Sequence, residues 1–192
     1  REQGARFTVA RAREYVAAFA GTEAFDAFGE AIDRALPNQS EEVAGNEELL
    51  REALIGRIRW GWVLGKHEDV FEAVKQAESA GLSRDSAENQ AFWIDVDHLL
   101  GEILTVEGKY DRAIQFMERA LQASESLDCL DRSAEIRGRI CSVSLFEHRF
   151  EESERKASQL LKEVPNPPKP AWCRAAASAL GALARIAMHN ED

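Results

Sequence analysis

Hydrophobic residues recur along the chain at the spacing of amphipathic α-helices. One predicted helix has an apolar face that comprises Val96, Leu99, Leu100, Ile103 and Leu104. A break follows at Gly108-Lys109, and a second helix is predicted to begin near Tyr110. Its apolar face comprises Ala113, Ile114, Met117, Ala120 and Leu121. The pattern therefore predicts two helices joined by a short turn.

The same pattern recurs at a step of 40 residues. A large apolar residue followed by a small one stands at Trp60-Gly61, Leu100-Gly101, Ile140-Cys141 and Leu180-Gly181. The second helix follows the same step in three series, which are Val70, Tyr110 and Phe150; Ala73, Ala113 and Ser153; and Ala80, Ala120 and Leu160. Because several series keep one register, the sequence predicts a repeat protein with a constant 40-residue step.

The segment LLGEILTVEGKYDRAIQFMERAL, residues 99–121, resembles the tetratricopeptide repeat. Leu100-Gly101 matches the Leu-Gly pair of that family, Tyr110 its turn tyrosine, and Ala113 and Ala120 its helix-packing alanines. The step of 40 residues exceeds the family's 34 and is similar to varieties in bacterial signalling regulators and some adaptor proteins. Asp97 departs from the pattern, because the family often has Trp at that position.

The resemblance implies an all-α fold, a right-handed superhelix of antiparallel helix hairpins. We expect a degenerate hairpin and loop in residues 1–48, repeats in 49–87, 88–130 and 131–168, and the first helix of an incomplete repeat in 169–192. This last helix is expected to mark a cut from a longer protein, because the outer face of a terminal helix is normally polar. Here it carries Leu180, Leu183, Ile186 and Met188.

Composition narrows the classes of function. The chain has 24 Lys and Arg against 34 Asp and Glu, and this net charge of −10 argues against binding nucleic acid or an anionic membrane. No apolar run approaches the ~18 residues that a membrane span needs. Three widely spaced cysteines without a CxxC pair favour a reducing compartment, so we expect a cytoplasmic protein.

No common catalytic motif is present, so we expect neither an enzyme nor a cofactor. The strongest candidate for chemistry is Asp95, His98 and Glu102, which fall on one helix face and could hold a divalent metal. The simpler interpretation is a charged face that contacts solvent, and no metal is expected. A metal-dependent enzyme at these three residues stays open as an alternative.

The resemblance places ligands in the concave groove lined by the first helix of each repeat. The candidate partner-binding residues are Arg59, Trp62, Lys66, Asp95, His98, Glu102, Thr105, Glu135, Arg139 and Ser142. Of the positions that clamp chaperone tails in some family members, only Arg139 agrees, which argues against that ligand. The expected function is binding of a protein or peptide segment, as part of a larger regulator. A free-standing adaptor or secretion chaperone is the alternative, and the partner and oligomeric state stay open.

Overall fold

The computed structural model describes residues 2–36 and 47–190, and within these ranges the chain is all-α. Nine helices lie in the described part: α1 (Glu2–Ala17), α2 (Gly21–Ala35), α3 (Glu47–Val63), α4 (His67–Ser79), α5 (Ala87–Val106), α6 (Tyr110–Ser126), α7 (Leu130–Phe146), α8 (Phe150–Glu163) and α9 (Pro170–Asn190). The predicted all-α class is thereby confirmed. The expected loop before residue 48 lies largely outside the described residues. The chain divides into two compact units, Arg1–Leu99 and Leu100–Asp192.

In the first unit, α1 packs against α2 and α3, and α3 also packs against α2 and α4. Large buried side chains on α2 and α3 form the core, namely Phe25, Phe28, Ile32, Leu50, Leu54 and Ile58. Helices α2 and α3 approach each other closely at Gly56, where a Cβ atom would lie 2.5 Å from the ring of Phe28. Glycine at this position lets the aromatic ring lie directly on the α3 backbone.

In the second unit, α7 is central and packs against α6, α8 and α9. A buried cluster joins α7, α8 and α9 through Cys141, Leu145, Leu160, Trp172 and Ala179, with smaller residues between them. A Cβ atom at Gly138 would lie 2.9 Å from the Cα atom of Ala175, so the α7 and α9 backbones nearly touch. Small residues at such crossings permit this close packing.

One turn geometry joins five pairs of consecutive described helices. Its left-handed residue is Phe19, Gly65, Gly108, Asp128 or His148, with φ between 55° and 73°. In the α5–α6 turn, the next residue, Lys109, donates its N–H to the carbonyl of Leu104 at 2.8 Å, as in a Schellman motif. The carbonyl of Lys109 then accepts the first helical bond of α6, from Ala113 at 3.0 Å. One residue therefore ends one helix and begins the next.

These turns show that the constant 40-residue step is wrong for the earlier part of the chain. Gly108 and His148 are 40 positions apart, but Gly65 and Gly108 are 43 apart. The longer interval contains α5, which has 20 residues, whereas the shorter one contains α7, which has 17; the short α4 is offset by its longer connection to α5. His67, which begins α4, is therefore equivalent to the first residues of α6 and α8, and Val70 is not.

Candidate partner-binding face

The odd-numbered helices, α1, α3, α5, α7 and α9, are here called first helices, and most predicted groove residues lie on them. In the first unit, Arg59 of α3 donates a hydrogen bond to Asp95 of α5 at 2.7 Å. Arg13 of α1 donates two to the carboxylate of Glu52 on α3, each at 2.5 Å. Both are charge pairs between successive first helices, at sequence separations of 36 and 39.

The second unit repeats the arrangement. Arg139 of α7 uses Nε and Nη2 to bond both carboxylate oxygens of Glu102, whose side chain is only 12% exposed. Glu135 of α7 accepts a hydrogen bond from Nε of Arg174 on α9 at 2.8 Å and another from Arg132 at 3.3 Å. Two pairs of predicted residues, Arg59 with Asp95 and Arg139 with Glu102, therefore bind each other. Together with the bond from Arg174 to Glu135, these pairs connect adjacent first helices.

The other predicted residues occupy several different environments. Thr105 donates its hydroxyl to the carbonyl of Gly101 at 2.8 Å, and Ser142 donates to that of Gly138 at 3.4 Å, so both hydroxyls bond their own helix. Lys66 lies at the α3–α4 turn. Its ammonium nitrogen is 4.1 Å from the centroid of the Phe25 ring, a cation–π contact. Trp62 and His98 are half-buried on α3 and α5.

The structure gives no support to a metal at the acidic face of α5. Asp95 is bonded to Arg59, and Glu102 is bonded to Arg139. Across residues 2–36 and 47–190, no group of three or more His, Cys, Asp or Glu side chains is placed to hold a metal ion. Asp95 and Glu102 of α5 thus bind cationic side chains of neighbouring helices.

A cavity that the sequence did not predict opens between α1, α2 and α3. Its volume is about 240 Å³. Apolar atoms of Val16, Phe28, Ile55, Gly56 and Trp60 line it, together with the charged side chains of Arg13, Glu52 and Arg59. Trp60 lines this cavity, whereas Trp62, the tryptophan predicted to contact a partner, does not. The spacing of Glu52, Ile55, Gly56, Arg59 and Trp60 is that of one helix face, and this signal could have revealed the α3 wall.

The fold and this cavity define an all-α protein in which a common turn joins five pairs of consecutive described helices. None of the described helices combines the length and apolar character needed to cross a membrane. No known protein family, curated protein or solved structure matches the chain.

Proposed function

We propose that the chain is a helical-repeat interaction module that binds a protein segment on the first-helix face of its first unit. The observation that supports this proposal is the cavity between α1, α2 and α3, which has apolar walls and a charged rim. A small apolar cavity with a few polar groups around it suits one anchoring side chain of a partner. Tryptophan and arginine, both present here, are the residue types most often decisive in protein interfaces.

The charged residues at the rim of the cavity, Arg13, Glu52 and Arg59, can exchange their present ion pairs for hydrogen bonds to a partner. The side chains of Arg13 and Glu52 are 66% and 30% exposed, and those of Arg59 and Asp95 are 56% and 27% exposed. Solvent-exposed pairs contribute only about 0–1 kcal/mol to stability, so rearranging them costs little. Arginine can then donate to carbonyl or carboxylate oxygens of a bound segment. The favoured ligand is a segment with one large apolar residue between polar residues.

The tetratricopeptide-like class and the regulatory role belong to the same proposal. The five shared turns and the close contact of α6 with Gly101 support a repeat architecture of this kind. We place the module in a larger regulator, where binding of a partner would control another part of the protein. A free-standing adaptor or secretion chaperone would use the same cavity and is the second possibility.

The test is selection of peptides from a displayed library, followed by titration of the selected peptides. Ile55→Glu places a charge in the cavity wall and should weaken binding roughly tenfold or more, about 1.4 kcal/mol. Lys75→Glu is the matched control, because Lys75 is an exposed residue of α4 that does not line the cavity. Circular dichroism of both variants should match the wild type. Peptides that bind Ile55→Glu as tightly as wild type would contradict the proposed site.

A further inference from the structure

Helix α9 has apolar residues on two faces, and only one of them is covered. Its buried face comprises Trp172, Ala175, Ala179, Ala182 and Ile186. The other face comprises Ala177, Leu180, Gly181, Ala184 and Met188, all of them exposed. Leu180 is 56% exposed and Met188 is 68% exposed. A helix with apolar residues on both sides is normally covered on both.

The equivalent face of α5 shows what covers such a helix. Residues LLGEIL at 99–104 align with ALGALA at 179–184, so Gly101 corresponds to Gly181. A Cβ atom at Gly101 would lie 2.6 Å from Cγ of Met117 and 3.2 Å from the carbonyl oxygen of Ala113. Helix α6 therefore lies directly on Gly101. At Gly181, no described heavy atom beyond its own helix would lie within 4 Å of a Cβ atom.

The neighbouring residues differ in the same way. Leu100 is 2% exposed, whereas its counterpart Leu180 is 56% exposed. In α7 the corresponding residue is Cys141, and its carbonyl accepts a hydrogen bond of 2.8 Å from the hydroxyl of Ser153 on α8. The faces of α5 and α7 are thus each covered by the helix that follows. The equivalent face of α9 also consists of apolar and small residues, but it is exposed.

We propose that the exposed face of α9 binds an amphipathic α-helix of a partner protein. The partner helix has the pattern of α6, in which Met117 and the backbone of Ala113 lie against Gly101 of α5 and Ala120 is buried one turn further on. Small residues allow close approach, and a long apolar side chain between them lies over Gly181. Arg185 is exposed beside this face, so carboxylates at the edge of the partner helix strengthen the contact. This site goes beyond the cavity of the first unit in both its location and its ligand.

The probe is a labelled synthetic peptide with the sequence of residues 108–127 of this chain. We expect saturable binding to the full chain in a fluorescence anisotropy titration. Gly181→Leu should weaken that binding at least tenfold, because the leucine side chain fills the space over position 181 into which Met117 of the peptide would pack. The variant should fold normally, since in the described part of the chain no other helix comes within 4 Å of a Cβ atom at position 181. A peptide carrying Met117→Glu should bind at least tenfold more weakly, and the exposed Lys75→Glu variant should bind like wild type.

Three outcomes would overturn the proposal. Failure of the peptide to bind at concentrations up to about 1 mM, an affinity of only about −4 kcal/mol, would show that the face does not accept a helix of this pattern. Equal binding to wild type and Gly181→Leu would place the peptide elsewhere, for example in exchange with α6. Dimerisation of the chain in sedimentation experiments, abolished by Gly181→Leu, would show that a second copy covers α9.

Discussion

Arg84 binds Asp97 through both carboxylate oxygens, at 3.0 and 2.9 Å, and thereby attaches the α4–α5 connection to α5. The guanidinium also lies 3.8 Å from the centroid of the Trp93 ring. The Trp93 indole donates to the carbonyl of Leu82 at 2.9 Å. Asp97 departs from the tetratricopeptide pattern, and here its buried carboxylate accepts hydrogen bonds from a half-buried arginine where that family often has an aromatic residue.

Removing the arginine should destabilise the protein strongly, because the side chain of Asp97 is only 5% exposed. We expect Arg84→Met to lower the free energy of unfolding by about 3 kcal/mol, since it leaves a buried carboxylate without that cation. Urea denaturation of the wild type and variant measures the difference. The double variant with Asp97→Leu should recover part of the loss, and no recovery would show that the stacking on Trp93 dominates.

Two glycines at equivalent positions should respond oppositely to the same substitution. Gly101→Leu should lower stability by roughly 1–3 kcal/mol, because the new side chain overlaps Met117. Gly181→Leu should leave stability unchanged or raise it, because no described atom outside its own helix lies within 4 Å of the added Cβ and glycine is a poor helix former. Thermal melting of both variants provides the comparison. Equal losses would contradict the exposure of Gly181 on α9, because they would mean that this position is covered as Gly101 is.

The free-energy cost of the left-handed backbone conformation differs among the turn positions. Phe19 has a φ of 55° and is 89% exposed, so its ring contributes little packing to offset the unfavourable backbone. Phe19→Gly should therefore raise the free energy of unfolding by about 0.5–1 kcal/mol. Gly108→Ala should lower it by about 1 kcal/mol, because its φ is 73°. Chemical denaturation tests both, and a loss of stability in Phe19→Gly would mean that the phenyl ring has a packing role.

The three cysteine thiols should differ in their reactivity. Burial raises the pKa of Cys141 from 9.0 to about 11, whereas Cys129 and Cys173 are exposed. At pH 8, iodoacetamide should modify the two exposed thiols and leave Cys141 unmodified until the protein unfolds, as mass spectrometry can show. Since the unfolded thiol ionises first, stability should fall as pH rises from about 9 to about 11. A Cys141→Ala variant should lack this contribution to the pH dependence.

The helix pairs were predictable because the 3.6-residue period and the glycine breaks are local signals. The three extra residues of α5 barely change the sequence pattern, for a physical reason. Three residues are close to one helical turn, so the apolar face stays nearly in phase, and Val70 and Ala73 still match a 40-residue step. The pairing of Glu102 with Arg139, and the cavity beside Ile55, depend on which helices become neighbours. No local sequence pattern specifies which helices pack against each other.

The shared turn has a consequence for how this chain can change in length. The N–H of Lys109 closes the end of α5, and its carbonyl accepts the first hydrogen bond of α6. An inserted residue in this turn would therefore disrupt one of these two bonds. Added residues must instead enter a helix, and only additions near a whole turn keep its apolar face inward. The longer α5 is one such addition. Tolerated insertions should therefore cluster inside helices in groups of three or four, and single-residue insertions at these joints should be the damaging ones.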